Sequence, residues 1–176
     1  MKRNILIIVP IAILFGVIGL YSGLKHHAPA QPADSAVSAL LAQALPDVDG
    51  KSQALSQWTG RPMIVNFWAT WCAPCVQEMP ELSALQAELA PRKIQILGIG
   101  IDSPSNIAEF SRKYKISYPL YVAGMGGTEL SRQFGNKTGS LPFTVLVGAD
   151  GRIRKQYLGR LKFDELRQDL KELGSS

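Results

Sequence analysis

The sequence is poor in sulfur and imidazole. Among 176 residues there are two cysteines and two histidines. Both cysteines, Cys72 and Cys75, fall within one short stretch, "WATWCAPCVQEMP", from Trp68 to Pro80. Both histidines, His26 and His27, fall in "KHHAPAQPADSAVS", an Ala/Pro/Ser-rich stretch that reads as a solvated tether. A structural zinc site wants four Cys or His ligands, so a single cysteine pair excludes one within the chain. The pair is a poor staple as well, because closing two intervening residues removes little chain entropy. There is no internal repeat, and a composition near the globular average excludes wholesale disorder. Excess charge is also scarce. The formal net charge is +5, but Lys2, Arg3 and Lys25 flank an apolar segment. Beyond Lys25, sixteen basic residues face fourteen acidic ones. The short runs "RKYK" and "RIRK" read as solvated faces of a helix and a strand, and no nucleic-acid partner is expected.

What is present begins with that apolar segment. Ile5 to Leu24 carry no charge. As a helix they would span about 30 Å, the thickness of a hydrocarbon core. The apolar region of a cleavable signal is shorter, about 7–15 residues. The expectation is therefore a membrane anchor over residues 5–24, behind a cytoplasmic n-region at 1–4 and ahead of a flexible linker at 25–38. Two other readings stay open: a signal cleaved near Ala30, after "APA", and a buried soluble helix. With Lys2 and Arg3 held on the cytoplasmic side, the remainder lies across the inner membrane, in a bacterial periplasm. No cysteine follows the apolar stretch, which excludes a lipid-modified N-terminal cysteine.

From about Leu40 the chain alternates strand-like and helix-like blocks, and residues 39–176 read as one α/β domain. "MIVNFW" (63–68), "KIQILGIGI" (93–101) and "FTVLVG" (143–148) are short apolar runs suited to buried strands. "RIRKQYLG" alternates in and out and follows a tight turn at "ADG", so it pairs with the preceding strand as an antiparallel hairpin. Helices are expected over 72–89, 105–114, 128–134 and 163–173. Their apolar stripes are Leu82, Leu85 and Leu89; Ile107, Phe110 and Tyr114; and Phe163, Leu166, Leu170 and Leu173. Pro80 is expected to kink the first of them. A small hairpin turning at Asp49–Gly50 precedes the first buried strand. The pattern predicts a mixed sheet with helices on both faces.

The cysteine pair sits where a strand gives way to a helix. Pro74 is tolerated there, because the first turn of a helix has no use for its missing N–H. The unpaired N–H groups of that turn favour an anion, so Cys72 is the candidate thiolate. Cys75 lies one turn inward, placed to attack a mixed disulfide at Cys72 and release the partner.

"VNFWATWCAPC" resembles the active-site signature of the thioredoxin superfamily. "CAPCVQEMP" is similar to the membrane-tethered TlpA/ResA-like thiol–disulfide oxidoreductases within it. The resemblance runs from about Leu40 to Leu173 and implies a thioredoxin-like fold. It also implies that "DSPSNIAEFSRKYKISYPLYV" is a central α-β insertion. "GSLPFTVLVGADGRI" matches the second signature, which implies a cis Pro142 beside the cysteines and a backbone at Leu141 that holds an extended substrate. Asn66 stands where ordinary thioredoxins carry a buried Asp. Glu78 matches a carboxylate that the subfamily keeps near the site. If buried, it could take the Cys75 proton and would have a raised pKa. If not, it is an exposed helix residue. Trp71, Pro74, Leu141 and Pro142 form the expected substrate surface, and Trp68 is expected in the core.

The resemblance implies a monomeric enzyme without cofactor or metal, reducing disulfides in target proteins with electrons from a membrane thiol relay. Apocytochromes c and copper-site assembly proteins are target classes in the family. A dedicated cytochrome c maturation reductase carries a "GVxGxPE" signature; "GSLPFT" here lacks the acidic residue, which argues against that assignment. A different class is a copper(I) chaperone using Cys72 and Cys75 as soft ligands, with Met79 or Met125 as a thioether. A thiol peroxidase would need a single peroxidatic cysteine in its own loop motif, and no such motif is present.

Overall fold

The computed structural model describes residues 32–173. The n-region at 1–4, the expected anchor at 5–24 and the first part of the linker lie outside the described residues. Among the described residues no helix is long and apolar enough to cross a membrane.

The order of elements is α1 (Pro32–Leu41), β1 (Ala44–Pro46), β2 (Ser52–Ala54), β3 (Met63–Trp68), α2 (Ala73–Leu89), β4 (Gln95–Gly100), α3 (Pro104–Tyr114), β5 (Leu120–Val122), α4 (Gly126–Gln133), β6 (Phe143–Val147), β7 (Ile153–Leu158) and α5 (Phe163–Glu172). Strands β1 and β2 make the small hairpin, and Asp47 Oδ1 closes its turn by accepting from the N–H groups of Asp49 and Lys51. The main sheet runs β5-β4-β3-β6-β7. Strands β3, β4 and β5 are parallel, joined by helical crossovers, while β6 is antiparallel to both β3 and β7. This is the mixed sheet that the sequence predicts.

All six residues of β3 are buried, because it is the central strand and is covered on both faces. Alternation divides its side chains between two cores. Ile64 and Trp68, with Ile96, pack under Leu82 and Leu85 of α2, Ile107 and Phe110 of α3, and Leu166 and Leu170 of α5. Met63, Val65 and Phe67, with Leu97 and Ile99, pack on Ala36, Val37 and Leu40 of α1 and on Leu130 and Phe134. Helix α2 continues through Pro80, which sits on its exposed side. Burying a large aliphatic side chain of this kind is worth about 1.5–3 kcal/mol.

Two expectations need correction, and one segment left open is now assigned. The segment expected to be linker up to residue 38 is helical from Pro32, because Ala36, Val37 and Leu40 form an i, i+1, i+4 stripe that covers the second core. Its Ala/Ser-rich sequence suits a helix as well as a tether. Tyr114 is not part of the buried stripe of α3. It is 38% exposed, and its ring rests on Phe110 with centroids 4.4 Å apart. Finally, the residue pattern alone left "PLYV" unassigned. Its last three residues form β5, an edge strand, in agreement with the α-β insertion implied by the resemblance.

Because β3, β4 and β5 are parallel, their C-terminal ends share one edge. The loop entering the antiparallel β6 reaches the same edge. Cys72, Asp102, Met125 and Pro142 therefore collect there from segments distant in sequence.

If α1 belongs to the fold, Leu40→Ala should lower unfolding stability by about 2–5 kcal/mol, since Leu40 is fully buried. Urea denaturation would show it. A loss within about 0.5 kcal/mol, as for a surface site, would mean that α1 is not packed.

Candidate active site

Cys72 is the N-cap of α2, with extended φ and ψ, and its Sγ accepts from the Cys75 N–H at 3.3 Å. Pro74 falls in the first turn, where it costs no hydrogen bond. Cys72 and Cys75 are joined as a disulfide, with Cα atoms 5.3 Å apart. The two residues differ in access: Cys72 keeps 6% exposure, and Cys75 has none.

The loop before Cys72 is fixed from a neighbouring strand. Asp102, just past β4, accepts from both the N–H and the hydroxyl of Thr70. Its other oxygen accepts from the Ser103 N–H and from Asn106 Nδ2, so one carboxylate also anchors the start of α3. Burial alone would raise Asp102, but these donors outweigh it and hold the carboxyl below its ordinary value. The sequence reading did not single out Asp102. An Asp directly after a buried apolar strand, followed by Ser-Pro, was the available signal.

Glu78 is fully buried, which rules out the exposed-helix reading. It lies one turn beyond Cys75 on the same face of α2. Asn66 Nδ2 donates to its Oε1 at 3.0 Å, and the Leu161 N–H donates to its Oε2 at 2.9 Å. Asn66 Nδ2 also donates to Thr144 Oγ1 at 2.9 Å, across the β3–β6 pair. Burial is the largest influence on Glu78 and raises it. The Leu161 N–H, the Asn66 amide and the charge of Arg160 pull the other way, leaving the carboxyl raised to about 7. Thr144 and Leu161 were not foreseen, since one contributes only a hydroxyl across a strand pair and the other only a backbone N–H.

Leu141–Pro142 is a cis peptide, as the resemblance implies. Pro142 is buried and Leu141 half-buried. Trp71 projects into solvent at 70% exposure, while Trp68 is buried against Phe110 with ring centroids 4.8 Å apart. A groove of about 360 Å³ opens beside the cysteines, between Thr70 and Val76 and the α3 residues Asn106, Phe110 and Tyr114. Met79 is fully buried beneath Cys75, and Met125 stands 84% exposed ahead of α4. Among the described residues, no group of three or more His, Cys, Asp or Glu gathers as a metal site.

The raised carboxyl has a measurable consequence. Between its unfolded value of 4.5 and about 7, Glu78 keeps a proton in the folded chain that the unfolded chain has lost. Folding stability therefore falls as pH rises through that window. Glu78→Gln removes the titration. Denaturation across the window should show the variant gaining about 3 kcal/mol relative to the native chain. A difference independent of pH would mean that Glu78 titrates as an ordinary carboxylate.

The comparisons agree with this geometry. A profile of the AhpC/TSA family matches residues 38–156. The thiol–disulfide oxidoreductase ResA of Oceanobacillus iheyensis is 28% identical over 174 residues, covering 98% of this chain and 87% of that protein. ResA of Geobacillus thermodenitrificans is 26% identical over 130 residues, covering 73% and 72%. Among solved structures, a thioredoxin-family thiol:disulfide interchange protein from Chlorobium tepidum superposes with a TM-score of 0.62 at 27% identity, covering 83% of this chain and 99% of that one. The matched span, the thioredoxin-like sheet and the disulfide at the head of α2 agree: the chain belongs to the AhpC/TSA family and is a thiol–disulfide oxidoreductase.

Proposed function

We propose that the chain reduces disulfides in target proteins on the periplasmic side of the inner membrane. The observation that carries this reading is the asymmetry of the pair. Cys72 keeps a small exposure at a helix N-terminus, and Cys75 is sealed one turn before a buried carboxyl.

The thiolate of Cys72, favoured by the Cys75 N–H that donates to it and by the positive end of α2, attacks one sulfur of a target disulfide. The target S–S bond breaks, a mixed disulfide forms at Cys72, and the first target thiolate leaves. Glu78 takes the proton of Cys75, which a carboxyl poised near 7 is suited to do. The Cys75 thiolate then attacks Cys72 Sγ and releases the second target thiolate. Two electrons have passed to the target, and the chain is left as the Cys72–Cys75 disulfide. A membrane thiol relay would return it to the dithiol, since an oxidising compartment needs a continuous supply of electrons.

Trp71, Pro74, Leu141 and Pro142 form the surface that receives the target, with the Leu141 backbone pairing to an extended segment and the α3 groove taking a neighbouring side chain. Apocytochromes c and copper-site assembly proteins are the target classes. The charge-free stretch Ile5–Leu24 behind Lys2 and Arg3 supports anchoring with the domain outside. The copper-chaperone reading would have to take its thioether from Met125, exposed on the same sheet edge, because Met79 is buried below the pair rather than open to an incoming ion.

Cys75→Ser should trap targets and donor on Cys72 as mixed disulfides, identified in cells on non-reducing gels. Cys72→Ser should trap none. Absence of Cys72-dependent adducts would defeat the exchange mechanism. An equilibrium potential near that of a strong oxidant, about −120 mV, would reverse its direction.

A further inference from the structure

Three buried polar atoms near Glu78 have no hydrogen-bond partner among the described residues: Asn66 Oδ1, Trp68 Nε1 and Tyr118 Oη. Asn66 and Trp68 are wholly buried, and Tyr118 is 4% exposed. Buried polar groups are nearly always paired, with protein or with internal water, and leaving one unpaired costs about 1–3 kcal/mol. Three in one region is therefore a pattern rather than an accident.

They share a location. Asn66 and Trp68 project from the same face of β3, towards α2. Gly98 of β4 lies directly opposite Asn66 in the sheet and faces the same way. A Cβ on Gly98 would collide with Leu120 Cδ2, which packs over the strand there, and would lie 3.2 Å from both Trp68 Nε1 and the Tyr118 Cε2 atom. Its absence lets the indole and the phenol both lie against the strand, and the phenol hydroxyl is carried on the next ring carbon. Asn66 in turn donates to Glu78 through its other amide atom.

The chemical complement is also specific. Trp68 Nε1 can only donate, Asn66 Oδ1 can only accept, and a tyrosine hydroxyl does either. One water accepting from the indole, donating to the amide oxygen and exchanging with the hydroxyl would make three hydrogen bonds, the usual number for an internal water. We infer that Tyr118, Trp68 and Asn66 hold an internal water behind Glu78, and that Tyr118 is a positioning residue for proton exchange at that carboxyl. The water polarises the Asn66 amide, whose Nδ2–H then stabilises the Glu78 carboxylate. The titratable and charged groups facing Glu78 are Cys75 on its own helix, Arg160 from the loop after β7, and Tyr118 from the loop before β5. Burial, and then the Glu78 charge, raise the Tyr118 phenol, so it serves as a neutral hydrogen-bonding group and not as a base.

The inference rests on the proposed role of Glu78, and the two can fail separately. Tyr118→Phe in the full-length chain keeps the ring and removes only the hydroxyl. Two readouts apply: the carboxyl titration of ¹³C-labelled Glu78, and magnetisation transfer from bound water to the Trp68 indole N–H. The native chain should show the water transfer. The variant should lose it, titrate Glu78 at higher pH, and exchange disulfides about threefold more slowly at neutral pH with the same alkaline plateau. Absence of water transfer in the native chain, or an unmoved Glu78 titration in the variant, would overturn the inference. An exchange-rate profile left unmoved by Glu78→Gln would instead overturn the role of Glu78 itself. A thermal melt of each variant confirms that the fold is retained before the profiles are compared.

Discussion

The buried carboxyl of Glu78 is the contact on which the site depends. It accepts from β3 through Asn66 and from the loop before α5 through the Leu161 N–H, while its own backbone belongs to α2. Through Asn66 the same network reaches Thr144, two residues past the cis Pro142. Four segments that share no sequence neighbourhood are thus held around one acid. A carboxyl in an apolar interior is costly to ionise, and here two strong donors offset only part of that cost. The acid is left near neutrality, where it can both hold and release a proton. The structural tie and the role proposed for the acid reside in the same two oxygens.

The second constraint is the parallel sheet. It delivers the ends of β3, β4 and β5 to one edge and so defines where a site can be built. Asp102 uses that arrangement to pin Thr70, and with it the approach to Cys72, from the adjacent strand. The cysteines then differ in exposure because α2 enters the core immediately. Its first residue lies at the surface, and the next turn lies beneath the sheet edge. Difference in access, rather than difference in residue type, distinguishes Cys72 from Cys75.

Much of this was legible in the residues. The runs "MIVNFW" and "FTVLVG" are too apolar for an exposed strand, and the leucine stripe of α2 has only one face to bury. The pairing of Cys72 and Cys75 at a helix start followed from spacing and from Pro74. Other parts were not legible. Helix α1 has an Ala/Ser-rich sequence that suits a tether equally well, and only the apolar face of the sheet made it a helix worth packing. Tyr114 keeps helical spacing but falls where α3 reaches the rim, so the periodicity overstated its burial. Strand β5 is too short to carry a period of its own and exists because β4 offers it an edge.

The sequence by itself determined the redox pair, the order of the longer strands and helices from β3 onward, and the apolar segment ahead of the domain. These are properties of local composition and spacing, and neighbouring residues along the chain suffice to express them. Only the tertiary structure decided that Glu78 is buried, that Asn66 and the Leu161 backbone hold it, and that Asp102 and Tyr118 stand near the site. Those facts depend on contacts between residues up to 83 positions apart, and no local pattern encodes such distances.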